Sequence, residues 1–162
     1  MPERELTIAE RIPVQRSLKA AIGVCEKIAQ GKRDDKLAAE VDRLMNLRPT
    51  PARLKGIRRE FAAVATALSN TQLENIKRDE GEKVYAYVYP QKPYHIWVGD
   101  EFFTAARNGP KDTTVGTLIH EATHWTIVKG SDDHAYGDVE HLSATLARNN
   151  ADTLERIAES VA

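Results

Sequence analysis

The sequence predicts an α+β protein in which a small sheet lies between two groups of helices. Apolar residues recur every three to four positions over residues 12–68 and again over residues 139–161, which is the period of amphipathic helices. Between these regions the period changes to two, because Val84, Ala86 and Val88 alternate with tyrosines. Since helices and strands are not interleaved, an α+β class is favoured over a doubly wound parallel sheet.

Three amphipathic helices are expected at the start of the chain. Glycine and proline divide the apolar pattern there, because Gly31 can end a helix and Pro51 can begin one. The three helices are predicted over residues 12–30, 34–47 and about 51–68.

Strands are expected next. Residues 73–78 and 83–89 are predicted to form a β-hairpin with its turn at Gly81, and residues 94–98 a further strand. Together these segments predict a small antiparallel sheet. A short helix is expected over residues 100–107.

The C-terminal region is again helical. Asp112 or Thr113 is expected to cap a helix that extends to Lys129, because Gly130 suits the left-handed end of a helix. Two last helices are predicted over residues 139–148 and 151–161.

Length and composition fit a single domain. A chain of 162 residues can enclose one sizeable core. We expect residues 1–162 to form one domain, with a helical part over 1–69 and the functional core over 70–162. No apolar run approaches the roughly 18–20 residues that a membrane span needs. The single cysteine, Cys25, allows no disulfide within the chain.

Charge is distributed unevenly along the chain. The first 78 residues hold 16 Lys and Arg against 10 Asp and Glu, whereas residues 79–162 hold 7 against 14. The two halves can complement each other where they pack, or the acidic half can attract a basic substrate. Nucleic-acid binding is disfavoured, because the basic half lacks interleaved aromatic residues and the net charge is −1.

The segment His120-Glu121-Ala122-Thr123-His124 carries the chemistry. Two imidazoles four residues apart lie on one face of a helix, which suits two ligands of one zinc ion at about 2.0–2.1 Å. Glu121 stands beside the first ligand, where it can act on water as a general base.

A third ligand is needed, and several residues can supply it. The pattern with a third histidine fails, because Ile127 and Gly130 stand where it requires glycine and histidine. Glu140 is a candidate on the following helix, although it is close to the histidines along the chain. Asp132 and Asp133 in the intervening loop are both available.

The loop after the histidines shows a family resemblance. Residues 130–137, Gly-Ser-Asp-Asp-His-Ala-Tyr-Gly, resemble the G-[T/S]-x-D-x-x-Y-G signature of the aspzincins, the family of deuterolysin and the lysine-specific metallo-endopeptidases. Residues 86–90, 96–98 and 102–103 are also similar to that family, and so is the Asn-Ala-Asp sequence at 150–152. The resemblance covers residues 70–162 and implies a zincin-like fold with one catalytic zinc ion.

The resemblance also implies roles for individual residues. Asp133 becomes the third zinc ligand beside His120 and His124, and Tyr136 becomes the residue that steadies the transition state. The chemistry agrees with this assignment. Three protein ligands leave a position for water, Glu121 can accept its proton, and the Tyr136 phenol can stabilise an oxyanion.

Substrate preference is inferred from an acidic pair. In the lysine-specific branch two acidic residues line the pocket just after the scissile bond, and Asp152 and Glu155 hold those positions here. Their i,i+3 spacing lets both carboxylates converge on one ammonium group, although carboxylates also suit a helix start. Cleavage on the N-terminal side of lysine is therefore predicted.

A zinc-dependent endopeptidase acting on peptides or proteins is thus the leading hypothesis. The alternative is a bacterial effector or toxin domain of the same fold that acts on a target-cell protein or a cell-wall peptide, with an immunity or inhibitor protein as its partner. The stretch from Met1 to Glu10 lacks the apolar core of a signal peptide. We therefore expect export or delivery from the producer's cytoplasm by a secretion system without a cleavable signal. No nucleic-acid or membrane partner is expected.

Overall fold

The computed structural model describes residues 3–109, 112–136 and 139–162 and confirms the predicted α+β class. The described residues form six α-helices and four short strands. The helices are α1 Ile8–Ala29, α2 Asp34–Met45, α3 Pro51–Ser69, α4 Thr114–His124, α5 Ala144–Arg148 and α6 Ala151–Val161. The strands are β1 Arg4–Glu5, β2 Ile76–Arg78, β3 Ala86–Tyr87 and β4 Ile96–Val98.

The four strands form one mixed sheet in the order β1-β2-β4-β3. β1 is antiparallel to β2, and β3 is antiparallel to β4, but β2 and β4 are parallel. The predicted hairpin of residues 73–78 and 83–89 is therefore wrong, and so is the fully antiparallel sheet. Burial explains the pairing. All three residues of β4 are buried, so β4 takes a central position and its two neighbours lie on either side of it.

The segment before β3 is held by main-chain hydrogen bonds to the segment after β4. Carbonyl oxygens within residues 82–85 accept hydrogen bonds of 2.8–3.1 Å from the N–H groups of residues 99–101. Gly99 permits this close approach, because a Cβ atom there would overlap the carbonyl oxygen of Val84.

Helix α1 begins four residues earlier than predicted. Thr7 is its N-cap and forms a capping box with Glu10, which satisfies N–H groups at the helix start. Glu10 also accepts hydrogen bonds of 2.7 and 3.0 Å from Arg4, so strand β1 is tied to the helix. Pro13 is accommodated inside the helix.

Helix α4 ends at His124, five residues before its predicted end. The carbonyl of Thr123 accepts the N–H of Ser131 at 3.0 Å, and the hydroxyls of these two residues are 2.7 Å apart. The loop after α4 therefore provides a hydrogen-bond donor to a carbonyl that would bond within the helix if the helix were longer. Trp125 then turns into the core, where it is fully buried against Tyr94.

Two other predicted helices are shorter in the structure. The segment predicted over residues 100–107 is a 3-10 turn, Asp100–Phe103. The helix predicted from residue 139 begins only at Ala144, because the Ser143 side chain caps it by accepting the N–H of Leu146. Helix α6 has its predicted bounds.

Buried apolar side chains of the helices and the sheet form one continuous cluster. Helix α1 packs on α3 and α4, and α4 packs along α6. Cys25 lies in this cluster as a free thiol, and burial raises its pKa well above the usual range. Within the described residues, no helix is long and apolar enough to cross a membrane.

Candidate metal centre

Helix α4 places two histidines side by side. His120 and His124 are one turn apart, and their ring centroids are 5.0 Å from each other. The helix begins at Thr113, whose side chain accepts the N–H of Gly116. The His120 and His124 side chains are only 8% and 12% exposed, so the helix holds both imidazoles in a largely buried position.

The loop after α4 brings Asp133 to the two imidazoles. Its Oδ1 atom lies 3.1 Å from Nε2 of His120 and 3.2 Å from Nε2 of His124. Tetrahedral coordination with bonds of about 2.0–2.1 Å separates donor atoms by about 3.3 Å. Two nitrogens and one carboxylate oxygen thus have the chemistry and the spacing of a zinc site.

Hydrogen bonds on the far side of each ring orient the imidazoles. Nδ1 of His120 lies 3.1 Å from Oε1 of Glu155, and Nδ1 of His124 lies 2.7 Å from the carbonyl oxygen of Ser131. A carbonyl oxygen can only accept, so Nδ1 of His124 carries a proton in this hydrogen bond, and Nε2 is the ring nitrogen that faces Asp133 and could bind a metal in the neutral form. Such partners are typical of zinc-ligating histidines.

The surrounding charges favour a cation at this position. Burial lowers the pKa of His120, but hydrogen bonds to Asp133, Asp152 and Glu155 outweigh burial and raise it well above its usual value. Burial also lowers the pKa of His124, but hydrogen bonds to Asp133 and to the Ser131 carbonyl outweigh burial and raise it. The residues present therefore fit a bound metal ion, and a cluster of His120, His124 and Asp133 meets the geometry for holding one.

The other two candidates for the third ligand lie elsewhere. The Asp132 side chain accepts a hydrogen bond from Asn149 at 3.1 Å and is 68% exposed. Glu140 pairs with Arg43 at 2.8 Å. Gly137, the last residue of the aspzincin-like signature, lies outside the described residues.

Glu121 lies beside the three candidate ligands. Its Oε1 atom is 3.9 Å from Nε2 of His120, and the residue is 8% exposed. Burial raises the pKa of Glu121 to about 7, the two histidines oppose this, and the charge of Asp133 adds to it. Burial thus makes this carboxyl group readier to accept a proton than an exposed glutamate.

Tyr136 covers the site from the loop. Its ring stacks on His120 with a centroid distance of 6.0 Å, and the residue is 66% exposed. Partial burial and a hydrogen bond to Asp133 raise the pKa of Tyr136 to about 12. The phenol thus keeps its proton at neutral pH and can act as a hydrogen-bond donor.

Asp152 and Glu155 lie on α6 below His120. Both are buried, and both approach Nδ1 of His120, at 3.6 and 3.1 Å. Burial raises the pKa of Glu155, His120 opposes this, and the charge of Glu159 adds to it. The two carboxylates of the predicted acidic pair thus lie together, as expected. Both also contact Nδ1 of His120, which is a candidate metal ligand.

Two cavities meet at Glu121 and Tyr136. One, of about 420 Å³, is lined by Asp152 and Glu155, and the other, of about 470 Å³, by His124 and Asp133. Val84 and Ala86 line both cavities. The arrangement is a cleft that runs past the candidate metal centre alongside β3.

Asn150 is a site residue whose role the sequence did not reveal. It is fully buried, and its Oδ1 accepts the N–H groups of His134 and Ala135 at 2.7 and 3.1 Å. Its Nδ2 donates to the carbonyl of Ala135 and to the hydroxyl of Thr153. Only the resemblance at residues 150–152 pointed to it. The amide joins the start of α6 to the loop that carries Asp133.

Replacing Asn150 with alanine is expected to loosen this loop. Several buried backbone groups lose their partner, so we expect the free energy of unfolding to fall by about 2–3 kcal/mol. Zinc affinity should fall about 10–100-fold, as for other residues that orient ligands. Chemical denaturation and competition with a chromogenic zinc chelator measure the two effects. Asn149→Ala is the matched control, because Asn149 bonds an exposed carboxylate. Equal zinc affinity in both variants would contradict the role of Asn150.

Comparisons with known proteins agree with this geometry. Residues 49–159 match the aspzincin family model, described as Lysine-specific metallo-endopeptidase. An 84-residue stretch is 39% identical to the "Extracellular protease" of Aeromonas hydrophila, and an 82-residue stretch is 39% identical to the "Peptidyl-Lys metalloendopeptidase" of Armillaria mellea. A solved zinc peptidase from Grifola frondosa has the same fold, with a TM-score of 0.77 and 21% identity over 95% of this chain and 96% of that one.

The curated relatives are longer than the part that they share with this chain. The matched stretches cover 49% and 48% of this chain but only 24% and 23% of the Aeromonas and Armillaria proteins. The family model covers most of the chain, from the loop before α3 into α6. The resemblance seen in the sequence is confirmed, and the chain belongs to the aspzincin family of metallo-endopeptidases.

Proposed function

We propose that this chain is a zinc-dependent endopeptidase that cleaves peptide bonds on the N-terminal side of lysine. One observation carries the proposal. Nε2 of His120 and Nε2 of His124 both lie within 3.2 Å of Oδ1 of Asp133, in a cleft that also holds a buried glutamate and an acidic cavity.

The three converging residues would hold the metal, and the residues beside them would move protons. Zinc bound there supplies the Lewis acidity that activates water and polarises a carbonyl group. Glu121 accepts a proton from the attacking water and passes it to the amine that leaves when the C–N bond breaks. Tyr136 donates a hydrogen bond to the carbonyl oxygen as that oxygen gains negative charge.

The edge of the sheet would align the substrate. Strand β3 is the last strand in the order β1-β2-β4-β3, and residues beside it line both cavities. An extended peptide can pair with such an edge through main-chain hydrogen bonds. Its successive side chains would then reach the cavities on either side of the metal centre.

Asp152 and Glu155 support the preference for lysine. Both line the cavity of about 420 Å³ beside His120, so their carboxylates are in position to accept hydrogen bonds from an ammonium group. The Armillaria relative is named for action on peptidyl-lysine bonds. A buried ammonium without these partners would cost far more than an exposed one.

The proposed place of action is outside the producing cell. The Aeromonas relative is named an extracellular protease. Delivery as an effector, with an immunity or inhibitor protein, stays a prediction.

Digestion of a denatured protein with the zinc-loaded chain tests the proposal. We expect new N-termini that begin with lysine, and a preference of at least about tenfold over methionine, because an uncharged side chain loses hydrogen bonds to a charged group that are worth about 1.5–3 kcal/mol. Mass spectrometry of the products measures both. Cleavage spread over sites without lysine would refute the specificity, and an absence of zinc-dependent cleavage would refute the activity.

A further inference from the structure

The geometry points to Glu159 as a positioning residue that holds the Glu155 carboxylate towards the acidic cavity and so sets the affinity for lysine. This inference rests on the proposed function. It concerns a third carboxylate that does not itself line the cavity.

Three carboxylates form a row on the face of α6 that packs on α4. Asp152, Glu155 and Glu159 are three to four residues apart, so they project from one side of the helix. The row runs antiparallel to α4, because the first two lie near His120 while Glu159 lies at Thr113, where α4 starts. Glu155 therefore stands between a candidate metal ligand and Glu159.

Gly116 provides the space in which the two glutamates lie. A Cβ atom at this position would overlap Oε2 of Glu159 and lie 2.8 Å from Cγ of Glu155. Glycine is a weaker helix former than alanine, so the space comes at the expense of helix stability. The side chains of Glu155 and Glu159 thus both occupy the space left by the missing side chain of Gly116, which we call the notch.

Glu159 is anchored through one oxygen. Its Oε2 accepts the N–H of Thr113 at 2.8 Å and the hydroxyl of Thr113 at 2.7 Å. Its Oε1 is buried and, among the described residues, receives no hydrogen bond. The Glu159 carboxylate thus has more hydrogen-bond acceptor sites than the described residues around it have donors. The two donors of Thr113 therefore fix the position of the Glu159 carboxylate beside Glu155.

Removing the Glu159 carboxylate would release the two donors of Thr113. Glu155, one turn away on the same face of α6, is the carboxylate that these donors would then attract, because a buried N–H without a partner is unfavourable. The second oxygen of the Glu155 carboxylate would turn along the notch towards Thr113 and away from the cavity, while Oε1 stays at Nδ1 of His120. Glutamine at position 159 would keep an oxygen for Thr113, so Glu155 would stay in place.

Two measurements on the zinc-loaded protein test this role. Calorimetry gives the affinity for N-acetyl-lysine amide. Kinetics give kcat/KM for two peptides that differ only in lysine or methionine after the scissile bond. In Glu159→Ala we expect lysine-amide affinity and the lysine-to-methionine ratio to fall about tenfold, with the methionine peptide changed less than about twofold. Glu159→Gln should stay within about twofold of the parent, since a neutral acceptor suffices.

Two further variants complete the test, one as a control and one as an independent change at the same place. Glu74→Ala removes an exposed carboxylate of the same kind and should behave as the parent. Gly116→Ala fills the notch and should lower lysine selectivity even if Glu159→Ala does not fold. Unchanged selectivity in either folded variant overturns the inference, as does an equal loss for both peptides or an equal loss in Glu159→Gln. A parent that does not bind lysine refutes the proposed function, and this inference with it.

Discussion

Replacing Glu121 with glutamine is expected to lower kcat/KM at least about 100-fold, while zinc content stays at the parent's level. Proton transfer by a positioned group contributes about 10²–10⁴ to the rate of such reactions. The amide has nearly the same size as the carboxylate but cannot accept the proton. Because Glu121 lies beside the three candidate ligands rather than among them, its loss should spare the metal.

Steady-state kinetics on a lysine peptide and zinc analysis of the dialysed protein measure the two effects. Glu140→Gln is the matched control, because Glu140 is an exposed carboxylate on the same half of the chain that pairs with Arg43. The control should keep full activity. A Glu121→Gln variant as active as the parent would show that the general base lies elsewhere.

Replacing Asp133 with alanine is expected to remove the metal. Substituting residues that merely orient zinc ligands costs about 10–100-fold in affinity, so loss of a ligand should cost more than about 100-fold. Activity should disappear with the zinc. The Asp133 side chain is 33% exposed, so the fold itself should tolerate the change, which circular dichroism can check.

Asp132→Ala and Glu140→Ala are the informative comparisons for zinc affinity. Both residues are alternative third ligands by sequence, but their carboxylates contact Asn149 and Arg43 instead. We expect each variant to bind zinc within about threefold of the parent. Unchanged zinc affinity in Asp133→Ala, together with a loss in one of the other two, would reassign the ligand.

Local patterns predicted most of the helices and the side-by-side placement of the two histidines in the candidate metal centre. The i,i+4 spacing of His120 and His124 determines their geometry once the helix forms, and no distant residue is needed. Helix α6 has its predicted bounds because its apolar period is clear. The Thr7-x-x-Glu10 pattern is equally local, and it marks the start of α1 in the structure.

Strand pairing could not be predicted in the same way. Residues 73–78 and 83–89 looked like the arms of a hairpin because they are close in the chain, yet β2 and β3 each pair with β4. Which strand becomes central depends on what covers the two faces of the sheet, and that is decided by helices far away in the sequence. The end of α4 could not be predicted for a similar reason. The N–H of Ser131, in the following loop, donates to the carbonyl of Thr123 near the end of the helix.

Two residues of the site gave weak signals that only the packed structure explains. Gly116 interrupts a helical pattern, and an isolated glycine of this kind often marks a packing or functional reason. The reason here is the pair of glutamates on α6. Asn150 stands at a helix start, a position at which asparagine is common. Its hydrogen bonds to His134 and Ala135 depend on how the loop that carries Asp133 folds.

The support of the cleft by Gly99 has an evolutionary consequence. The wall beside β3 is carried by carbonyl and N–H groups of residues 82–85 and 99–101, which every amino acid except proline can provide. Side chains at positions 83–85 can therefore diverge among descendants without undoing the wall, as long as the glycine remains. Substrate preference on this side of the cleft can drift while thermodynamic stability is preserved, so selection can act on the two properties separately.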